Sequence, residues 1–138
     1  MRRKVYLYLA LILLVVLYGC GERTHPGTGT YVLDKPNIND NGGIMIPYIE
    51  INSDDNTFYF FFDMASSNAY VGNYEWKNNQ LVLKTFEGEY TYVFDVVDQY
   101  KLSFKEKSSD SVKLIDKNMG IQIEDGDLFV LGSLPWRE

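Results

Sequence analysis

The chain has one cysteine and one histidine among its 138 residues. A lone cysteine excludes an intramolecular disulfide, so the fold has to be held by its core and its hydrogen bonds. The lone histidine, His25, sits in the Gly-, Pro- and Thr-containing stretch Gly21–Gly29, which cannot hold catalytic or metal-binding partners in place. Without a second histidine there is no nucleophilic triad to assemble. Helical hydrophobic period is missing as well from every window beyond the first twenty residues. The chain therefore has to be read as β structure.

The first twenty residues, MRRKVYLYLALILLVVLYGC, place three cationic side chains before an apolar run from Val5 to Tyr18. That is the charged, apolar and small-residue order of a secretory signal. The run stops at Gly19, short of the roughly 20 apolar residues that a permanent span needs. Its end, Leu17-Tyr18-Gly19-Cys20, resembles the lipobox of bacterial lipoproteins, with Tyr18 larger than the usual residue at its position. The resemblance implies cleavage after residue 19, acylation of Cys20, and attachment to the lipid bilayer at the extracytoplasmic face of the cell membrane. At about 0.8 kcal/mol per buried methylene, acyl chains hold a protein on a membrane with no help from its folded part.

The expected organisation is a leader over 1–19, a flexible tether over 20–29 and a single β domain over 30–138. Without Arg2, Arg3 and Lys4, ten basic groups face nineteen acidic ones, a net charge of −9. Such a domain repels a nucleic acid and gains nothing from anionic headgroups.

Strand patterns fill the domain. Tyr31-Val32-Leu33 predicts a first strand, and Ile44–Ile51 a second in which Pro47 implies an edge, bend or bulge. Asn37–Gly43 is a polar turn between them. Thr57–Phe62, TFYFFF, is the most strongly strand-forming run. It sets Phe58, Phe60 and Phe62 on one face and Tyr59 and Phe61 on the other. The second pair reads either as covered by a folded-over segment or as an exposed aromatic patch for a partner. Val71–Trp76, Leu81–Lys84, Tyr90–Val96 and Tyr100–Phe104 then form a meander broken by Lys77-Asn78-Asn79, Glu87-Gly88 and Asp98-Gln99. Gly72 marks a bulge or a close backbone approach. Ser111–Asp116 and Met119–Ile123 predict weaker strands, Asp127–Leu131 a last one, and Trp136 a plug for an open end.

Motifs for chemistry fail on inspection. Asn37–Gly42 imitates the first half of a calcium loop, but its first ligand is an asparagine and its twelfth position is Tyr48 rather than a bidentate glutamate. Asp54-Asp55 and Glu124–Asp127 are carboxylate groups at predicted turns, where solvation is the ordinary state. No carboxylate pair stands out for glycoside hydrolysis. No cofactor, no metal and no enzymatic activity are expected.

The residues Thr57-Phe58, Phe60, Met64, Ser66-Ser67, Gly72–Glu75, Leu81–Leu83, Tyr90–Phe94, Leu102 and Phe104 resemble the short β domain of small Gram-positive lipoproteins. The same domain is appended to membrane zinc peptidases of the β-lactam-sensor type. The likeness covers about residues 29–131 and implies a lipocalin-like barrel; the peptidase's HExxH helix has no counterpart, so it implies no activity. The expected fold is thus an all-β, up-and-down antiparallel barrel or strongly curved sheet of about eight to ten strands. The expected role is a non-catalytic binding or sensory domain facing an envelope protein through Tyr59 and Phe61. The alternative is a carrier of a small apolar ligand, its pocket lined by Tyr90, Tyr92, Phe94, Tyr100 and Phe104. An eight-stranded interior is usually filled by its own side chains, which favours packing over carriage.

Overall fold

A computed structural model describes residues 25–36 and 45–132. The leader over 1–19, Cys20, the turn at 37–43 and Trp136 lie outside the described residues. The protein is all-β. Eight strands, β1 (Gly29–Asp34), β2 (Tyr48–Asn52), β3 (Thr57–Phe61), β4 (Tyr70–Lys77), β5 (Gln80–Thr85), β6 (Thr91–Asp98), β7 (Lys101–Phe104) and β8 (Leu128–Leu131), follow in chain order round a closed barrel. Every neighbouring pair is antiparallel, and β8 closes on β1 with Tyr31 opposite Leu131 and Leu33 opposite Phe129. Closure satisfies both edges of the sheet, which an open meander would leave unpaired.

Alternation along each strand builds the core. Tyr31, Ile49, Phe60, Leu81, Leu83, Tyr92, Phe94, Leu102, Phe104 and Phe129 are all fully buried inside. Phe60 meets Tyr92 edge-on at 5.0 Å and Phe94 at 5.8 Å, and Phe94 meets Phe129 at 5.5 Å. Such edge-to-face pairs add roughly 0.5–1.5 kcal/mol beyond their burial. Eight strands make a barrel whose interior such rings fill.

The two ends differ. The lower rim carries the short turns β2–β3, β4–β5 and β6–β7 together with the start of β1. Asn78 and Asn79, both at positive φ (53° and 61°), form the two-residue β4–β5 hairpin, the turn whose twist matches that of the strands. Asn79 also binds β6 by exchanging bonds with Val96: its side-chain amide donates to the Val96 oxygen at 2.8 Å and its carbonyl accepts the Val96 N–H at 2.9 Å. The upper rim carries the loops 62–69, 86–90 and 105–127.

Eight strands fall within the expected eight to ten, and the upper rim corrects two of the predicted elements. Ser111–Asp116 and Met119–Ile123 are not strands; with their flanks they make an irregular strap between β7 and β8. Because β8 already pairs with β1 and β7, no free edge is left for them to extend. Their apolar residues Val112, Leu114 and Ile123 are buried over the upper end of the core. Gln122 supplies the hydrogen bonds that a partner strand would have given. Its amide donates to the Val112 and Ile123 carbonyls at 3.1 and 2.9 Å, and its oxygen accepts the Leu114 N–H at 3.3 Å. The strap's beginning, Lys105–Asp110, lies beside β6 and covers Val93, which the alternation alone would have left outside.

Gly72 answers to a close backbone approach. A Cβ there would lie 2.0 Å from the Lys84 oxygen and 2.7 Å from the Thr85 Cα. β2 begins at Tyr48, just past Pro47, whose carbonyl accepts the Leu33 N–H at 3.0 Å.

The segment expected to be a tether is docked in its described part. β1 starts at Gly29, and the residues just before it lie against the lower rim. Gly27 N–H donates to the Gln99 carbonyl at 3.2 Å, Thr28 hydrogen-bonds Ser53, and the His25 ring lies tilted against Trp76 with centroids 3.9 Å apart.

Candidate functional site

Two surfaces follow from the sequence reading, the outer aromatic pair of β3 and the inner stripe of β6 and β7. Along β3 and just past its end, Phe58, Phe60 and Phe62 point inward and are buried, while Tyr59 and Phe61 point outward and are half-buried. Register sets Tyr48 of β2 opposite Phe61 and Glu50 opposite Tyr59. Phe61 stacks on Tyr48 at 5.5 Å, and Tyr59 reaches the same ring at 5.9 Å. The outer face of β2 and β3 thus carries a continuous group of three rings. Tyr48 itself is buried although it faces outward, so part of this patch is covered and part open.

Next to it, Thr30, Glu50, Thr57, Tyr59, Val71 and Phe86 line an open groove of about 650 Å³ across the outside of β1 to β4. Phe86, just beyond β5, is the most exposed ring of the group, and its N–H donates to the Val71 carbonyl at 3.1 Å. Sequence reasoning missed Phe86, because it follows the last residue of a strand and lies in no alternating stripe. It also missed Tyr48, whose part in the patch depends on the β2–β3 register rather than on its own neighbours.

The proposed pocket residues come together only in part. Tyr92, Phe94 and Phe104 are fully buried in ring-to-ring contact, so they fill the interior rather than line a space. Tyr90 is half-buried at the upper rim, edge-on to Tyr70 at 5.3 Å. Tyr100 is a correction: it belongs to the β6–β7 turn at the lower rim, 53% exposed, the barrel's height away from Tyr90. The cause is the turn: β7 begins only at Lys101, and the Tyr100 N–H is held by the Asp98 carboxylate at 2.7 Å, so Tyr100 stops short of the stripe of Leu102 and Phe104.

Electrostatics concentrate at the upper rim. Lys35, at the end of β1, donates to the Gln122 carbonyl at 2.8 Å and pairs with Asp127 at 2.8 Å and Glu124 at 3.1 Å. Burial works against its charge, but the bonds from Asp127 and Glu124 outweigh it and hold its pKa above the ordinary lysine value. Burial also pushes the Tyr31 phenol up to about 12 and raises that of Tyr92, to which Tyr70 and Asp110 add. Among the described residues no group of three or more His, Cys, Asp or Glu side chains is placed to hold a metal ion. No family model, curated protein or solved structure matches the chain.

Proposed function

We propose that this chain is a membrane-anchored extracytoplasmic lipoprotein whose barrel is a non-catalytic binding or sensory module for an envelope partner. The observation that carries the anchor is the sequence order of three cations, an apolar run and Leu17-Tyr18-Gly19-Cys20. Export of a cysteine at that point gives acyltransfer chemistry a single thiol to modify, and acyl chains supply the membrane affinity. What supports recognition at the outside rather than carriage inside is the packing of Phe60, Tyr92, Phe94 and Phe129 at the centre of the barrel. A carrier needs a cavity of about 300 Å³ or more where those rings stand. The outer rings of Tyr48, Tyr59 and Phe61 and the neighbouring groove are then the surface on offer.

The anchor is tested by mass spectrometry of the amino-terminal peptide from membranes of a Gram-positive host. The expected result is a Cys20 carrying diacylglycerol, with Cys20→Ser shifting the protein to the soluble fraction. An unmodified Cys20 in the membrane extract overturns the reading.

A further inference from the structure

We infer that the lower rim of the barrel is the end laid on the bilayer, with Val97 and Tyr100 at headgroup level and the strap facing away; this rests on the lipid-anchored reading above. Covalent reach comes first. Five peptide steps separate Cys20 from His25, roughly 18 Å when fully drawn out. His25 is not free to follow the anchor wherever it goes, because its ring lies tilted against Trp76 with centroids 3.9 Å apart.

The residues after it are tied to the same end. Gly27 N–H is bonded to the Gln99 carbonyl in the β6–β7 turn, and Thr28 to Ser53 in the β2–β3 turn. The Tyr31 hydroxyl lies 2.9 Å from both the Gly27 and the Gln99 oxygens and donates its proton between them. With Trp76 beside the β4–β5 turn, each of the three lower turns has a hold on the segment. From His25 on the segment is therefore fixed to the lower rim, and Cys20 can lie no farther from His25 than five peptide steps allow. The six residues of β1 cover five steps, about 17 Å along the strand, so the upper rim meets the bilayer only if the tether is drawn almost straight along the barrel wall.

The side chains at the lower rim suit that position. The β6 bulge turns Val97 outward, 54% exposed, and Tyr100 stands beside it, 53% exposed. A tyrosine with an apolar ring and a polar tip is the residue that prefers the membrane–water boundary. Charge is not what brings this rim down. Lys77 and Lys101 share it with Asp54, Asp55 and Asp98, so the contact is imposed by the tether and is expected to be insensitive to salt.

The test uses the full acylated chain in phosphatidylcholine vesicles bearing a nitroxide on the headgroup. With Cys20 acylated, a single introduced cysteine at Val97, Tyr100, Lys84 or Ile115 is the one thiol open to a fluorescent maleimide. Val97→Cys and Tyr100→Cys report the lower rim, Lys84→Cys the wall towards its upper end and Ile115→Cys, at a site 71% exposed, the strap. Quenching at Val97 and Tyr100 is expected to exceed that at Lys84 and Ile115 at least threefold, in low and in high salt alike. Equal or stronger quenching at Lys84 means a barrel lying on its side, and at Ile115 an inverted one; either overturns the inference while leaving the anchor intact. Vesicle flotation separates the premise: a chain that fails to float refutes the anchor and this orientation with it.

Discussion

The buried carboxylate of Asp63 accepts the backbone N–H of Ile115, fifty-two residues further along, at 3.0 Å. Its other oxygen accepts the Ala65 N–H at 2.9 Å. One side chain thus shapes the bend after β3 and pins the strap to it, giving two N–H groups at the upper rim a charged acceptor. Bonds of that kind contribute about 1.5–3 kcal/mol each. Asp63→Ala is expected to lower unfolding free energy by about 3 kcal/mol, since it strands both donors. Asp63→Asn, which keeps one acceptor, is expected to cost about half as much. Urea denaturation of the two variants decides; a loss under about 0.5 kcal/mol for Asp63→Ala sinks the proposed role.

Lys35 holds the strap from the other side, through the Gln122 carbonyl and Asp127. Glu124 is largely solvated and adds little to this. Lys35→Met keeps the stem and removes the charge, so the strap should open locally before the barrel does. Amide exchange over 112–124 is expected to speed up at least tenfold while β3 to β6 keep their protection. Uniform acceleration across all strands counts against a local latch.

How far the sequence could be read depended on whether a residue's place is fixed by its neighbours in the chain. The inward rings Phe58, Phe60, Tyr92, Phe94 and Phe104 were legible because period-two alternation assigns a face without reference to any partner. Gly72 was legible as a bulge or a close approach, because glycine inside a strand pattern has few other causes. Tyr100 was not, since its spacing from Leu102 and Phe104 does not show that the turn at Asp98 lasts until Lys101. The strap was misread for a related reason. SVKLID and MGIQI alternate like strands, but a strand also needs an open edge, and the β8–β1 closure is a property of the whole barrel. His25 on Trp76 joins residues fifty-one apart, and nothing local in GERTHPGTG announces it. The outer patch was half legible: Tyr59 and Phe61 by alternation, Tyr48 and Phe86 only through register.

Gly72 sets the tightest steric limit in the sheet. A methyl group there meets backbone atoms of Lys84 and Thr85, which cannot rotate away as a side chain would. Gly72→Ala is expected to destabilise the protein by about 3 kcal/mol, at the upper end of what overpacking costs. Gly88→Ala is the control for lost glycine freedom alone: it lies at φ 72° in open space, so it should cost about 1 kcal/mol. Thermal melts that rank Gly88→Ala as the more damaging change would show that the β4–β5 approach is looser than the geometry implies.

Two phenols tie stability to alkaline pH. Tyr31 is raised to about 12 and Tyr92 is raised as well, in both cases first by burial. An unfolded chain loses these protons near the ordinary tyrosine value of about 10. The folded state still holds them there, so their contribution is complete below pH 10 and is lost as pH climbs from about 10 towards 12. Melting temperature should therefore stay level up to about pH 9 and fall steeply above 10, with tyrosinate absorbance from the buried rings appearing only as the barrel opens. Tyr92→Phe separates the two phenols and has an unusual sign. The Tyr92 hydroxyl is buried with no hydrogen-bond partner among the described residues, and removing such a group relieves a desolvation penalty of about 1–3 kcal/mol. The variant is expected to be at least as stable as the parent at neutral pH, by up to about 1 kcal/mol, and to show a shallower alkaline decline. A clear loss of stability at pH 7 would mean that the hydroxyl is satisfied after all, and that the centre of the barrel has room for the water or ligand that satisfies it.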